Sequence, residues 1–182
     1  MKKRLSQFIL KLMGWKIGNI LPEVPKCVIV VAPHTSNYDF ILGKLAYTAI
    51  GRTANFLIKK SWFVFPFNIF FNSIGGIAVD RDRKTSITDK LAIEFERRDK
   101  FQLALTPEGT RKRVKKWKKG FYFIAMKAQV PIVLVALDYG KKTVSFLDTF
   151  YPTGDFDGDI KIIRSNYNHI EAKHPDQFVK TV

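Results

Sequence analysis

Cysteine, histidine and long apolar runs are scarce in this sequence. Its 182 residues include one cysteine, Cys27, and three histidines. A single cysteine excludes an internal disulfide, and the histidines do not stand at the spacing of a zinc site. Charged residues or prolines interrupt every apolar stretch before it reaches the roughly 20 residues that a membrane-spanning helix needs. The sequence is therefore neither that of a disulfide-rich secreted domain nor that of a helical membrane span.

Acidic residues are also scarce relative to basic ones. The chain has 31 Lys and Arg residues against 16 Asp and Glu residues, a formal net charge of +15. A positive field of this size attracts polyanions such as nucleic acid, an anionic membrane or a phosphorylated substrate, and charge alone does not choose among them. Hydrophobic residues make up 46% of the chain, and its length suits one folded domain.

Residues 1–22 predict a basic amphipathic helix at a membrane interface. The chain opens with Lys and Arg, and apolar residues such as Phe8 and Trp15 follow at approximately helical spacing. Lys11 breaks the apolar region that a signal peptide would require. A basic helix that carries Trp and Phe suits the surface of a bilayer. The alternative for this segment is an ordinary helix packed on the core.

Strand and helix patterns alternate through residues 23–182, which predicts an α/β fold. We expect one domain with a mixed, mostly parallel sheet flanked by helices. Phe63 to Phe71 is almost wholly apolar but too short to span a membrane, so it is either a buried turn-helix or a surface patch that touches lipid. The predicted strands are 27–31, 56–58, 73–81, 102–106, 130–137 and 143–147, and the predicted helices are 37–50, 85–98, 120–128 and 155–171.

A histidine and an aspartate follow the first of these strands. His34 lies just past the strand, and Asp39 lies in the first turn of the helix that follows, so the two side chains can meet. An imidazole held by a carboxylate is a common general base, because the carboxylate sets the tautomer and stabilises the imidazolium. The alternative is structural: Ser36 and Asp39 also fit a capping box at the start of the helix.

Two further polar clusters follow strands. Asp80-Arg81 ends one strand, and Glu108-Gly109-Thr110-Arg111 follows another. Because the carboxyl ends of parallel strands share one edge of a sheet, both clusters are expected near His34. Guanidinium groups match phosphate oxygens, so the residues favour a base that activates a hydroxyl on a phosphorylated molecule.

Together these residues resemble the glycerophospholipid acyltransferases of the lysophosphatidic acid acyltransferase type. The resemblance runs in the family's order from about residue 26 to residue 137. Four ordered blocks are far more specific than one His-x4-Asp match. The four blocks are His34–Asp39, Gly76–Arg81, Pro107–Arg111 and Val130–Val133, and Leu57–Lys60 also resembles a family segment between the first two.

The resemblance implies transfer of a fatty acyl group to a hydroxyl of a lysophospholipid such as 1-acylglycerol-3-phosphate. The donor would be acyl-coenzyme A or acyl-acyl carrier protein, acting as a co-substrate, with no metal and no resident cofactor. His34 would take the proton of the acceptor hydroxyl, and Asp39 would orient His34. The alkoxide would attack the thioester directly, without an acyl-enzyme.

The resemblance also implies the substrate contacts and the location. Residues 23–182 would form the acyltransferase domain, peripheral or monotopic on the cytoplasmic face of an anionic membrane that supplies the lipid acceptor. Arg81 would bind the acceptor's phosphate. The other expected substrate-binding residues are Lys59, Glu108, Gly109 and Thr110, with Arg111 as a second anion contact.

Two features depart from the family's pattern. Leu134 follows Val133 where the fourth block often carries a second proline. Seven of the nine residues from Arg111 to Lys119 are Lys or Arg, which is denser than the third block requires. This basic run would hold an anionic carrier protein or the membrane surface, or form a solvated face.

Other functions remain as alternatives. The acceptor could be another hydroxyl lipid or an amino-acid lipid. The charge and Trp117 within the basic run suit a nucleic-acid-binding module. That hypothesis leaves His34 and Asp39 unexplained, so nucleic acid is not the expected partner. A lipid-binding protein without catalysis is a further alternative, against which the intact His34 and Asp39 argue.

Overall fold

A mostly parallel sheet forms the centre of the protein. The computed structural model describes residues 1–79 and 87–180. Within these residues the sheet has seven strands in the order β1-β7-β6-β2-β5-β3-β4. The strands are β1 (Lys16–Ile17), β2 (Lys26–Ala32), β3 (Asn55–Lys59), β4 (Gly76–Val79), β5 (Phe101–Leu105), β6 (Ile132–Asp138) and β7 (Thr143–Phe150).

All neighbouring strands run parallel except β6 and β7, which are antiparallel. The predicted α/β fold with a mixed, mostly parallel sheet is therefore confirmed. Parallel strands need crossover connections, and helices supply them here. The helices of the described residues are α1 (Lys2–Leu12), α2 (Tyr38–Ala49), α3 (Phe67–Ser73), α4 (Ile87–Arg97), α5 (Gly120–Ala128) and α6 (Phe156–Ser165).

Each face of the sheet has its own apolar core. The central strand β2 alternates its side chains, so Val28 and Val30 face the layer of α4, α5 and α6. Cys27 and Ile29 face the layer of α1 and α2. Both layers bury these residues almost completely, as the near-continuous β-branched run of β2 predicts for a parallel strand.

The first helix ends earlier than the sequence pattern predicts. It stops at Leu12, because Gly14 takes a left-handed conformation with φ of +72°. The Gly14 N–H donates to the Lys11 carbonyl at 3.0 Å, and the Trp15 N–H donates to the Leu10 carbonyl at 2.8 Å. These two bonds close the helix. Residues 16 and 17 then form β1, so β7 is not the edge of the sheet.

The last helix is also shorter than predicted. It ends at Ser165 rather than near residue 171. The Ser165 hydroxyl and the Asn166 amide both donate to the Ile162 carbonyl, at 2.8 and 2.9 Å. Side chains that bond to a helical carbonyl compete with continued backbone pairing. At the other end, Asp155 caps the helix by accepting from the N–H groups of Asp157 and Gly158.

Candidate active site

The structure brings His34 and Asp39 into contact at the carboxyl end of β2. His34 lies two residues beyond the strand, and Asp39 lies in the first turn of α2. The His34 Nδ1 and Asp39 Oδ2 atoms are 3.2 Å apart. The imidazole is partly exposed, with 17% of its side chain accessible, whereas Asp39 is buried. The base is thus reachable from solvent while its partner is not.

Four hydrogen bonds hold the Asp39 carboxylate. Oδ2 accepts from the N–H groups of Thr35 and Ser36 at 2.8 Å each, in addition to His34, and Oδ1 accepts from the Tyr139 hydroxyl at 2.6 Å. Burial alone would raise the pKa of Asp39, but these four hydrogen bonds together lower it below its ordinary value. Asp39 is therefore ionised at neutral pH.

An ionised Asp39 determines the tautomer of His34. A carboxylate can only accept hydrogen bonds, so Nδ1 must carry the ring proton. In the neutral ring Nε2 is then the free base. The capping interpretation is also met, because Asp39 accepts from the Ser36 N–H and the Ser36 hydroxyl accepts from the Tyr38 N–H at 3.2 Å. Asp39 thus serves the helix start and His34 together.

Tyr139 is a site residue that the sequence analysis did not identify. It follows the last residue of β6, the strand beside β2. Its hydroxyl donates to Asp39, and its ring meets Trp15 edge-on at a centroid distance of 4.9 Å. The desolvation of Tyr139 and its contact with the Asp39 carboxylate both raise its pKa, so it remains a donor. The strand-end rule that selected His34 could also have selected Tyr139.

Glu108 links the third polar block to the first. Its Oε1 atom accepts from the His34 backbone N–H at 3.0 Å. Only 5% of the residue is exposed, and Oε2 has no hydrogen-bond partner within the described ranges. Burial raises the pKa of Glu108 from its ordinary 4.5 to about 7, because its hydrogen bonds offset only part of the desolvation. This carboxyl is therefore partly protonated at neutral pH.

The turn that follows Glu108 lies beside His34 and the start of α2. Gly109 has φ of +66°, and a Cβ there would approach the Lys118 side chain to 3.0 Å, so glycine suits the position. The Arg111 guanidinium donates to the Asn37 side-chain oxygen. The Thr110 hydroxyl accepts from the Lys112 N–H at 3.3 Å. Arg111 is thereby anchored close to the helix that carries Asp39.

For Lys59, one of the two remaining predicted site residues, the structure gives no hydrogen bond or ion pair with His34, Asp39 or Glu108 among the described residues. Lys59 is exposed at the carboxyl end of β3, on the same edge of the sheet as His34 but two strands away. Arg81 and Asp80 lie outside the described residues. Within the described residues 1–79 and 87–180, no three His, Cys, Asp or Glu side chains form a group that could hold a metal ion.

Comparison with models of protein families identifies the family of this chain. Residues 19–138, about two thirds of the chain, match the acyltransferase family model. The chain belongs to the acyltransferase family. The resemblance that the ordered blocks predicted is confirmed at this level. The matched residues include His34, Asp39 and the Glu108–Arg111 turn.

Comparison with solved structures supports the same fold. The acyltransferase chain is similar to the 1-acyl-sn-glycerophosphate (LPA) acyltransferase PlsC from Thermotoga maritima, with a TM-score of 0.64 and 15% identity. The match covers 89% of this chain and 73% of that one. At this identity the likeness is evidence of the fold alone. No curated protein matches the sequence.

Proposed function

We propose that the protein transfers a fatty acyl group from an acyl thioester to a hydroxyl of a lysophospholipid such as 1-acylglycerol-3-phosphate. The observation that carries this proposal is the contact of His34 with a buried, ionised Asp39 at the carboxyl edge of the sheet. Family membership makes acyl transfer the reaction class. The thioester is a co-substrate, and the reaction requires no resident cofactor or metal.

His34 acts as the general base. Its Nε2 atom takes the proton of the acceptor hydroxyl as the oxygen attacks the carbonyl carbon of the thioester. The C–O bond forms, the tetrahedral intermediate collapses, and the C–S bond breaks. The imidazolium returns its proton to the leaving thiolate. Asp39 stabilises the imidazolium between these two transfers.

The turn after β5 is the proposed binding site for the acceptor. Arg111 supplies a guanidinium for an anionic headgroup, and Arg81, in the matching second block, is the proposed partner of the phosphate. Gly109 and Thr110 shape the site beside them. Glu108 in its neutral form has a proton to donate, and its unpaired Oε2 is the atom that would carry it toward the acceptor. Lys59 provides an additional cation at the same edge.

An enzyme that acylates a lipid must bind the membrane that contains the lipid. We propose α1 as the membrane-binding element. Across the described residues, no helix combines the length and the apolar character that crossing a bilayer requires. On α1 the apolar Leu5, Phe8 and Leu12 face outward and are 58–71% exposed, whereas the polar Ser6 is buried. Residues 5, 8 and 12 share one helix face. We propose that this stripe enters the interface of an anionic membrane on the cytoplasmic side.

A second exposed apolar surface lies between β3 and β4. All its members except Trp62 lie in the segment from Phe63 to Phe71, which the sequence predicted to be either a buried turn-helix or a lipid-facing patch. Their exposure excludes the first alternative and favours the second. Two cations, Lys59 and Lys60, precede it, with Ser61 between Lys60 and Trp62. The exposed side chains are Trp62, Val64, Phe65, Phe67, Ile69 and Phe70.

The substitution Phe8→Glu is expected to weaken binding to phosphatidylglycerol vesicles by about tenfold or more, because removing one large apolar side chain from the interface costs about 2 kcal/mol. Co-sedimentation with vesicles measures the change. Ile93→Glu is the matched control, since Ile93 is also exposed but lies on α4, in the opposite layer. Equal losses in the two variants would contradict the proposed role of α1.

A thiol-release assay tests the reaction itself. Purified protein in mixed micelles receives acyl-coenzyme A with lysophosphatidic acid, and then with other lysolipids or with lyso-amino-acid lipids. We expect free thiol to appear only when a lysolipid is present, and fastest with an anionic headgroup. Acyl carrier protein thioesters are offered in parallel. Absence of release with every donor and acceptor would contradict the proposed function and favour lipid binding without catalysis.

The structure weighs against the nucleic-acid hypothesis at one position. Trp117, the aromatic residue of the basic run, is 7% exposed. Its ring packs edge-on against Phe121 and Tyr167, at centroid distances of 6.5 and 5.6 Å. A buried indole is not available to stack on a base.

A further inference from the structure

A cationic groove opens on the side of the sheet covered by α6. Its volume is about 660 Å³. One wall is part of the basic run after the Glu108–Arg111 turn, another is the second half of α6, and the C-terminal segment closes it. The five cations that line the groove are Arg113, Lys115, Lys161, Arg164 and Lys180.

The charges of this groove lack counterions among the residues that the structure describes. Within residues 1–79 and 87–180, none of the five cations forms an ion pair with Asp or Glu. Like charges around one concavity repel each other, so the folded protein carries an electrostatic cost that a bound polyanion would remove. Arg164 is fixed in place, since its guanidinium donates to the Val179 carbonyl at 3.1 Å and lies 5.7 Å from the centre of the Trp117 ring.

The groove is connected to the active site through packed residues. Below Arg164, Trp117 meets Tyr167 edge-on. The Tyr167 hydroxyl donates to the Val30 carbonyl at 3.0 Å, on the strand that leads to His34. On the other wall, the Lys118 N–H donates to the Pro107 carbonyl at 2.7 Å, next to Glu108. These contacts connect the groove to the strand that precedes His34 and to the turn that carries Glu108, and none of the described site residues lines the groove.

From this placement we propose that the cationic groove binds the 3′-phosphate and the diphosphate of coenzyme A, which makes acyl-coenzyme A the donor. The inference rests on the proposed function, because it assigns a site to the donor of that reaction. The long, flexible pantetheine arm would carry the thioester from the groove to His34. The volume fits a small molecule, since ligand pockets measure about 300–1,000 Å³. A carrier protein would need a broader surface, about 800 Å² on each partner.

Binding of free coenzyme A to the full chain tests this site without requiring turnover. The double variant Lys115→Ala/Lys161→Ala is expected to bind coenzyme A at least about tenfold more weakly by titration calorimetry, because two charge-assisted contacts are lost. Dephospho-coenzyme A, which lacks the 3′-phosphate, is expected to bind more weakly than coenzyme A to the unaltered protein. The control variant Lys90→Ala/Lys141→Ala removes two exposed lysines elsewhere and should bind normally.

A second donor separates failure of this inference from failure of the proposed function. An acyl thioester of N-acetylcysteamine has no nucleotide, so the groove variant should use it at the unaltered rate while its KM for acyl-coenzyme A rises. Normal coenzyme A binding by the groove variant would overturn the inference. The inference would also be overturned if the groove variant lost binding to phosphatidylglycerol vesicles but still bound coenzyme A normally. Groove-dependent coenzyme A binding without any acyl transfer would support the site and contradict the proposed function.

Discussion

Replacing His34 by Ala is expected to lower the rate of acyl transfer by about 10²- to 10⁴-fold, the range that a positioned general base contributes. The imidazole is the partly exposed base of the cluster, and it can both take the acceptor's proton and return it to the thiolate. The thiol-release assay with saturating donor and lysolipid measures the change as a loss in kcat. A His34→Ala protein that works at the unaltered rate would contradict the mechanism.

The fold should tolerate this substitution. Alanine keeps the backbone N–H that donates to Glu108, and the Asp39 carboxylate keeps its bonds from Thr35, Ser36 and Tyr139. We therefore expect circular dichroism spectra and thermal midpoints close to those of the unaltered protein. His169→Ala is the matched control, because His169 is exposed and lies outside the His34 cluster. Its activity should be unchanged.

The pairing of His34 with Asp39 could be predicted because both residues lie close together in the chain. A strand end, a turn and a helix start determine their relative position almost entirely by local geometry. Glu108 could be placed at the same edge by the rule that parallel strands end together. Its bond to the His34 backbone could not be predicted, since it depends on the exact packing of β5 against β2. The strand-end rule also places Tyr139 at this edge, but its bond to Asp39 depends on the packing of β6 against β2.

The limits of the fold prediction have similar causes. Apolar periodicity continued past Leu12, but the left-handed turn at Gly14 ends the helix and buries Trp15. The sequence contains Gly14, but its left-handed conformation accompanies the pairing of β1 with β7. That pairing joins residues more than 120 positions apart. By contrast, the helix predicted over residues 37–50 ends as expected at Ala49, and Gly51 follows it with φ of +83°.

Aromatic residues illustrate why composition alone predicts little about function. Trp117 lies within a highly charged run and is nevertheless buried, because it packs beneath Arg164 and against Tyr167. Phe65 lies within an apolar run and is 81% exposed. Local hydrophobicity would assign the opposite environment to each residue. Only the tertiary fold shows that the tryptophan supports the cationic groove and that the phenylalanine faces outward.

The substitution Glu108→Gln is expected to change how stability depends on pH. Because burial raises the pKa of Glu108 from 4.5 to about 7, the folded protein binds a proton that the unfolded chain has released between these values. The stabilisation that this proton provides is complete below about pH 4.5 and is lost as the pH rises through 7. The free energy of unfolding should therefore decrease by about 3 kcal/mol across this window through Glu108 alone.

Glutamine keeps an oxygen for the His34 N–H and cannot ionise, so the variant lacks this contribution. Between pH 5 and pH 8 the free energy of unfolding of Glu108→Gln, relative to that of the unaltered protein, should rise by about 3 kcal/mol. Denaturant titrations at several pH values measure the free energy of unfolding of both proteins. The difference between the two free energies cancels the contribution of every other titrating group, and the amide itself adds only a constant. Glu94→Gln is the control, because Glu94 is accessible and pairs with Arg98 on the surface. A difference that stays constant with pH would mean that Glu108 is already ionised throughout this range in the folded protein. A buried carboxylate with one unpaired oxygen would then need a nearby cation to balance it.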